Sequence, residues 1–179
     1  LEYFKKKDTK PGTKGENTIF VWGTNGKIAE KQDFEEGILT RKETYTYDSL
    51  DQMILYVGYE KKEVLSDSLF ETERSAVFYN KFGQFTKRVI TKKYPECSNA
   101  LAPVKTEETI ITFEYMVPEK KGEAGKLAKK VSEKNECGSK STIEICYNKM
   151  GFRTTYIKKA DGKVVFTGKR EYEFFTEKK

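Results

Sequence analysis

Aromatic and apolar side chains alternate with polar ones in five stretches of the chain, and each stretch ends at a short polar turn. In four of them an aromatic residue precedes a Gly or Asp by four positions. The pairs are Trp22 and Gly26, Tyr47 and Asp51, Tyr79 and Gly83, and Tyr147 and Gly151. A fifth pair, Tyr115 and Gly125, fits when six residues are inserted into its turn. The aromatic residues are 25, 32, 36 and 32 positions apart, which indicates an internal repeat.

The period-two alternation before each turn predicts half-buried strands. One face of these strands would carry Phe20 and Trp22, Tyr45 and Tyr47, Val77 and Tyr79, Phe113 and Tyr115, and Ile145 and Tyr147. An aromatic entry strand, a turn and a return strand make a β-hairpin. We expect a positive φ at the fourth turn position, which Gly adopts freely and Asp51 adopts with some strain.

Three further segments need separate interpretations. Residues 153–159 alternate, Asp161-Gly162 is a strong two-residue turn signal, and residues 164–175 would return as a strand with Tyr172 and Phe174 facing the core. Residues 63–74 fit either a loop or a short helix. Residues 118–136 fit either a helix, with Leu127 and Val131 on one face, or a long turn and return strand. We prefer the strand there because it preserves the repeat.

These elements predict an all-β fold, an antiparallel meander of about ten strands that forms one curved sheet or an open, barrel-like shell. Residues 1–16 have the composition of a flexible N-terminal tether, and residues 17–179 would form a single β domain. Hydrophobic residues make up only 36% of the chain, and 12 Phe and 11 Tyr supply much of that share. Such a composition favours thin sheets over a thick Leu-rich core.

Three segments carry a resemblance to the YD-repeat family, also called Rhs-like repeats. They are residues 45–51, 78–83 and 146–151, in which a tyrosine and an Asp or Asn precede a Gly or Asp. Asp51 departs from the family's Gly, Trp22-Gly23 replaces Tyr-Asp, and the Tyr115 unit carries an insertion. The resemblance implies an exported or surface protein whose hairpins stack into sheets or shells. Small versions resemble exported lipoproteins of Bacteroidetes.

Candidate catalytic chemistry is sparse. The chain has no histidine, which excludes Ser-His-Asp and Cys-His catalysis and histidine-containing zinc sites. It has no phosphate loop and no dinucleotide fingerprint, so we expect no cofactor and no metal. A glycosidase would need two facing carboxylates. Carboxylates cluster at several places, but no pair stands out: Asp33, Glu35 and Glu36; Glu71 and Glu73; Glu107 and Glu108; Glu171 and Glu173.

The three cysteines leave two alternatives open. Cys97 and Cys137 lie in polar, turn-like stretches and would form a disulfide in an oxidising compartment, with Cys146 free. Three separate thiols are the other reading.

Charge and aromatic content set the expectations about partners. The net charge is +6, and residues 149–179, with nine basic and four acidic residues, contribute +5 of it. We expect these lysines to solubilise exposed faces rather than to bind nucleic acid. The repeat aromatics would stack on sugar rings or, as we prefer, form the core. An outward binding surface would then use Tyr56, Tyr59, Phe70 or Tyr94.

The sequence therefore predicts a non-enzymatic binding or structural module of the bacterial envelope, periplasmic or on the outer surface, that contacts a glycan or another protein. A lipid anchor lost from the N-terminus would be its membrane attachment. A glycan-active enzyme with paired carboxylates is the alternative, and nucleic-acid binding through the basic surface comes third.

Overall fold

The protein is all-β. A computed structural model describes residues 15–61, 68–94, 105–118, 120, 122–136 and 139–172, together with the backbone of residues 3–6. Each strand hydrogen-bonds to the next one in sequence, which makes one antiparallel meander. The twelve strands are β1 Tyr3–Lys6, β2 Asn17–Trp22, β3 Ile28–Glu35, β4 Ile38–Tyr47, β5 Met53–Lys61, β6 Leu69–Tyr79, β7 Phe85–Tyr94, β8 Lys105–Tyr115, β9 Leu127–Glu136, β10 Ser139–Tyr147, β11 Arg153–Ala160 and β12 Lys163–Lys169.

The fold class expected from the sequence is confirmed. The strand order runs from β1 to β12 without returning to β1, so the sheet is open and not closed into a shell. The strand β1 lies inside the segment 1–16 for which the sequence predicts a tether, and it pairs with β2. The described residues contain no helix long and apolar enough to cross a membrane.

Four turns of the repeat have the same backbone geometry. Gly26, Asp51, Gly83 and Gly151 have φ values of 71°, 60°, 73° and 86°, so the predicted left-handed position is confirmed. In each turn the N–H of this residue donates to the carbonyl three residues earlier, at 2.9–3.1 Å. A type I turn followed by one left-handed residue is the usual three-residue hairpin loop, and it produces a bulge.

The bulge recurs at the same repeat position in three hairpins. Pairing shifts by one residue at Trp22, at Tyr47 and at Tyr147, immediately before the turn in each case. The Oδ1 atoms of Asp48, Asn80 and Asn148 each accept hydrogen bonds from the backbone N–H groups two and four residues later, at 2.9–3.1 Å. The Asp or Asn after the tyrosine therefore closes the turn, which explains this part of the motif.

Gly125 does not follow this pattern. Its φ is not among the positive values, and its site is buried. A Cβ atom built on Gly125 would lie 2.1 Å from the backbone oxygen of Met116, so glycine is required there by close backbone approach. Gly125 therefore differs from the four turn residues at the fourth position, because the longer turn between β8 and β9 has a different geometry.

The ambiguous segments are resolved as strands. Residues 127–136 form β9, which confirms the preferred reading and excludes the helix. Residues 69–74 belong to β6, so the loop or short helix expected for 63–74 is wrong in that part, and residues 62–67 lie outside the described residues. The strand expected over 164–175 ends at Lys169. Tyr172 therefore lies beyond it, and Phe174 lies outside the described residues.

The sheet contains two compact units. One comprises Leu1–Phe78 and Val89–Glu108, and the other comprises Tyr79–Arg88 and Thr109–Lys179. Among the described residues, Val57 and Val77 are the only buried apolar side chains. Most other strand residues are partly exposed, so each unit relies on cross-strand pairs and the backbone ladder more than on a core.

We expect Gly151→Ala to lower the free energy of unfolding by about 1 kcal/mol, because in the left-handed conformation the Cβ atom of alanine lies too close to the following carbonyl oxygen. A Cβ atom at Gly151 would meet nothing within 4 Å, so the cost is conformational alone. Gly151→Asn should cost less, since asparagine tolerates this region. Urea denaturation of the two variants is the measurement, and equal stabilities for them would contradict the assigned turn.

Candidate functional site

Two of the repeat tyrosines bond to the preceding hairpin through their hydroxyl groups. The Tyr47 hydroxyl donates to the backbone oxygen of Ile28 at 3.0 Å, and the Tyr115 hydroxyl donates to that of Phe85 at 2.7 Å. Ile28 and Phe85 are each the first residue of the return strand in the preceding hairpin. Burial raises the pKa of both tyrosines, which keeps the donors protonated. Each tyrosine thus ties its hairpin to the one before it.

Tyr172 is a further repeat tyrosine that the sequence analysis missed. Its hydroxyl donates to the backbone oxygen of Arg153 at 2.9 Å, and Arg153 is the first residue of the return strand β11. The signal was present in the spacing, because Tyr172 follows Tyr147 by 25 positions, the same step that separates Trp22 from Tyr47. The expectation that Tyr172 faces a core is wrong, since it is 36% exposed and its ring stacks on Phe152.

The repeat aromatics do not form a buried core. Trp22 is 36% exposed, and Tyr47, Tyr79, Tyr115 and Tyr147 are half-buried. The preferred interpretation of these rings as core residues is therefore wrong, because none of the five is buried. Of the residues proposed for an outward surface, Tyr94 is exposed, whereas the other three are half-buried: Tyr56, Tyr59 and Phe70.

One face of the second unit carries a row of rings, which we call the aromatic face. Phe85 lies between Tyr79 and Phe113, with ring centroids 4.9 and 6.2 Å away. The ammonium group of Lys130 lies 5.8 Å from the Phe113 centroid. Residues that pair directly across neighbouring strands share a face, so the pairing shows how this face continues from β9 to β12. Lys130 pairs with Ile145, Ile145 pairs with Tyr156, and Tyr156 pairs with Gly168, which is beside Phe166.

The opposite face of the same unit is ionic. Glu144 on β10 binds Lys159 on β11 at 2.5 Å and Lys129 on β9 at 3.2 Å. The hydrogen bonds from Lys159 and Lys129 lower the pKa of Glu144 despite its burial. The bond to Glu144 in turn raises the pKa of Lys129. The two faces of the unit therefore differ in chemistry, with rings on one and a three-strand ion-pair ladder on the other.

The first unit holds a polar group that the sequence analysis missed, which we call the Glu43 cluster. Arg41, Glu43 and Tyr45 alternate along β4 and so share a face. Glu43 is 8% exposed, accepts a hydrogen bond from the Tyr45 hydroxyl and pairs with Arg41 at 2.8 Å. Tyr56 lies beside them, with its ring centroid 5.6 Å from that of Tyr45. The signal was the alternation of Arg, Glu and Tyr along a predicted strand.

The Glu43 cluster has little capacity for acid–base chemistry. Burial, together with the hydrogen bond to Glu43, raises the pKa of Tyr45 well above its ordinary value. Both carboxylate oxygens of Glu43 are engaged, one by Tyr45 and one by Arg41. A paired carboxylate and a protonated phenol make a structural polar contact. Gly58, which is opposite Glu43, leaves space for the Tyr56 hydroxyl, since a Cβ atom there would lie 2.9 Å from its oxygen.

Three of the carboxylates noted in the sequence form ion pairs. Asp33 binds Lys31 at 2.8 Å, Glu71 binds Arg74 at 2.7 Å and Lys93 at 2.9 Å, and Glu73 lies 3.6 Å from Lys92. Hydrogen bonds from Arg74 and Lys93 lower the pKa of Glu71. Within the described ranges, no group of three or more Cys, Asp or Glu side chains is arranged to hold a metal ion.

The disulfide hypothesis falls on residues that are not described. Cys97 and Cys137 both lie outside the described residues. Cys146 is free and half-buried on β10. The proposed bridge stays a prediction.

These features define a class of protein, an open antiparallel meander of hairpins whose turns are closed by Asp or Asn and tied together by tyrosine hydroxyls. No protein-family model matches the chain, and no curated protein matches it either. The resemblance to YD repeats stays an interpretation that is based on the turn residues.

We expect Tyr115→Phe to lower the free energy of unfolding by about 1 kcal/mol, since it removes the hydrogen bond to Phe85 and leaves the ring in place. The matched control is Tyr94→Phe, because the Tyr94 hydroxyl has no hydrogen-bond partner in the described part of the chain. Urea denaturation measures both variants. An equal loss in both would show that the hydroxyl does not tie the hairpins together.

Glu144→Gln should reduce stability at neutral pH by roughly 0.5–1 kcal/mol for each ion pair removed. The folded-state pKa of Glu144 is lowered, so its stabilising effect is present above the ordinary value of 4.5 and is lost as the pH falls through the lowered pKa. The gap between wild type and variant should therefore close in acid. Urea denaturation from pH 7 to pH 2 tests this, with the exposed Glu171→Gln as control. A gap that is independent of pH would contradict the ladder.

Proposed function

We propose that this protein is a non-enzymatic binding module of the bacterial envelope and that its aromatic face contacts a glycan. The observation that carries the proposal is the row of partly exposed rings on that face. Phe85 and Phe166 are 48% and 56% exposed, and no described element covers them. Ring faces pack well on the apolar side of sugar rings.

The spacing of the strands suits an extended polymer. Neighbouring strands lie about 4.8 Å apart, so side chains of one face recur at that interval across the sheet. A chain that crosses β7 to β12 at right angles would meet Phe85, Phe113, Ile145 and Tyr156 in turn. This favours a ligand with repeated units over a compact small molecule.

The pairing of polar groups favours binding over catalysis. Glu144 and the Glu43 cluster engage their carboxylates with cations or with a phenol, which lowers their capacity to act as acid or base. The location at the envelope rests on the resemblance to YD repeats. A search of the full gene for a secretion signal ahead of the chain tests this location.

A second candidate function is contact with another protein at the outer edge of β12. Val164, Val165 and Phe166 are 58%, 57% and 56% exposed, and no other described strand pairs with that edge. An exposed strand edge with apolar residues is a template for addition of a strand from another chain.

The test is a calorimetric titration of the full chain with neutral and acidic soluble oligosaccharides. The sugars are analysed afterwards for products. We expect saturable binding without product, and a loss of affinity of about 3- to 10-fold for Phe113→Leu or Phe85→Leu. Tyr94→Leu, an exposed aromatic in the first unit, should bind like wild type. Released sugar products would replace the proposal with a glycan-active enzyme, and absence of any glycan binding would refute it.

A further inference from the structure

A cavity of about 310 Å³ opens on the aromatic face at the ends of β11 and β12. Two aromatic residues, one glycine and two arginines form most of its lining: Tyr156, Phe166, Gly168, Arg153 and Arg170. Lys169 also borders it, but strand alternation directs its side chain to the other face of β12. Pockets of a few hundred Å³ accommodate one or two sugar-sized groups.

The cavity exists because Gly168 has no side chain. Gly168 pairs directly with Tyr156, so the two residues share a face, and Phe166 lies two residues earlier on the same face. The rings of Tyr156 and Phe166 are 5.8 Å apart and inclined at 67°, which forms a corner above the glycine. The φ of Gly168 lies outside the left-handed region, so the backbone does not require glycine there. Glycine within a strand often marks the close approach of a ligand.

The backbone at Arg153 and Arg170 is fixed by contacts of the residues that follow β12. The backbone N–H of Arg170 donates to the backbone oxygen of Thr154 at 2.8 Å. The Tyr172 hydroxyl holds the backbone oxygen of Arg153, and the Tyr172 ring stacks on Phe152 at 5.0 Å. The Arg153 guanidinium lies 5.8 Å from the centroid of the Tyr156 ring. The site is therefore largely formed before any ligand arrives, which reduces the entropic cost of binding.

The charge of the cavity is uncompensated within the described residues. No acidic residue is among those that line it, and no described carboxylate forms an ion pair with Arg153, Lys169 or Arg170. Lys129 and Lys159 of the same unit, by contrast, share Glu144. Two arginines at one small cavity favour an anionic group as its occupant.

We propose that this cavity binds one acidic sugar residue of an anionic glycan, an inference that rests on the proposed glycan-binding function. The carboxylate or sulfate of the sugar pairs with Arg153 and Arg170. The apolar side of its ring packs into the corner formed by Tyr156 and Phe166. A single-stranded nucleic acid fits less well, because stacked bases need flat ring faces in sequence and a groove of cations along the backbone.

The experiment is calorimetry of the full chain with two probes, a tetramer of galacturonic acid and the same tetramer with its carboxylates methyl-esterified. We expect the acidic tetramer to bind at least 10-fold more tightly. Arg153→Gln and Arg170→Gln should each weaken it by roughly 5- to 20-fold, because each removes a charge-assisted hydrogen bond.

Gly168→Val is the variant that should block the cavity without lowering the stability of the fold. A Cβ atom at Gly168 would already lie 3.4 Å from Cε1 of Phe166, so a valine fills the corner. Because β-branched residues favour strands, its urea midpoint should match or exceed that of wild type while binding falls at least 10-fold. Two controls should change affinity less than 2-fold. Thr167→Val introduces the same side chain on the other face of β12, and Lys163→Gln removes one charge from its far end.

The outcomes separate this inference from the proposed function. Equal affinity for the two tetramers, or an equal loss in Lys163→Gln and Arg153→Gln, would refute the acidic site and leave glycan binding intact. Failure of both tetramers and of the neutral oligosaccharides would refute both. Stronger binding of oligothymidylate, with an affinity that falls steeply as salt rises, would assign the site to nucleic acid and also refute the inference.

Discussion

Hydrogen bonding between neighbouring strands is the interaction on which the other features of this protein depend. Val57 and Val77 are the only buried apolar side chains among the described residues, so burial of one face cannot select the pairing of the strands. Sheets without a buried face are prone to slip in register. The protein counters this at its turns, where a left-handed residue, a bulge and an Asp or Asn side chain fix the alignment of each hairpin.

Cross-strand side chains add a second constraint on register. The hydroxyls of Tyr47, Tyr115 and Tyr172 each reach the first residue of the preceding return strand, a contact that a shift of one residue would break. The ladder of Lys129, Glu144 and Lys159 does the same through charge on three adjacent strands. Such contacts are individually modest, but they recur with the repeat and so act along the whole described sheet.

An open sheet of this kind leaves its faces available for contact. In the second unit Glu144 pairs with two lysines on one face, whereas the rings of the other face are partly exposed and end at a cavity whose two arginines have no ion-pair partner among the described residues. The first unit buries Glu43 against Arg41 and Tyr45, and its most exposed rings are those of Trp22, Phe78 and Tyr94. The asymmetry between faces is what makes the second unit the better candidate for binding.

Much of the fold was accessible from the sequence, because turn chemistry is local. Gly26, Asp51, Gly83 and Gly151 were predicted to be left-handed because the steric cost of that conformation depends on the residue itself. The strand β9 was favoured over a helix because the repeat required it. The role of Gly125 was not accessible in this way, because it depends on the carbonyl of Met116, a contact that its local sequence does not reveal.

The sequence by itself determined the hairpins, their turns and the all-β class, since these follow from period-two alternation and from residues within a few positions of each other. Only the tertiary structure decided which side chains meet across strands. Strand register pairs Gly168 with Tyr156 and brings Glu144 to two lysines. It also showed that the aromatic rings lie on an uncovered face and not in a core. Whether a face is covered depends on the number of layers in the fold, and alternation along one strand carries no information about a second layer.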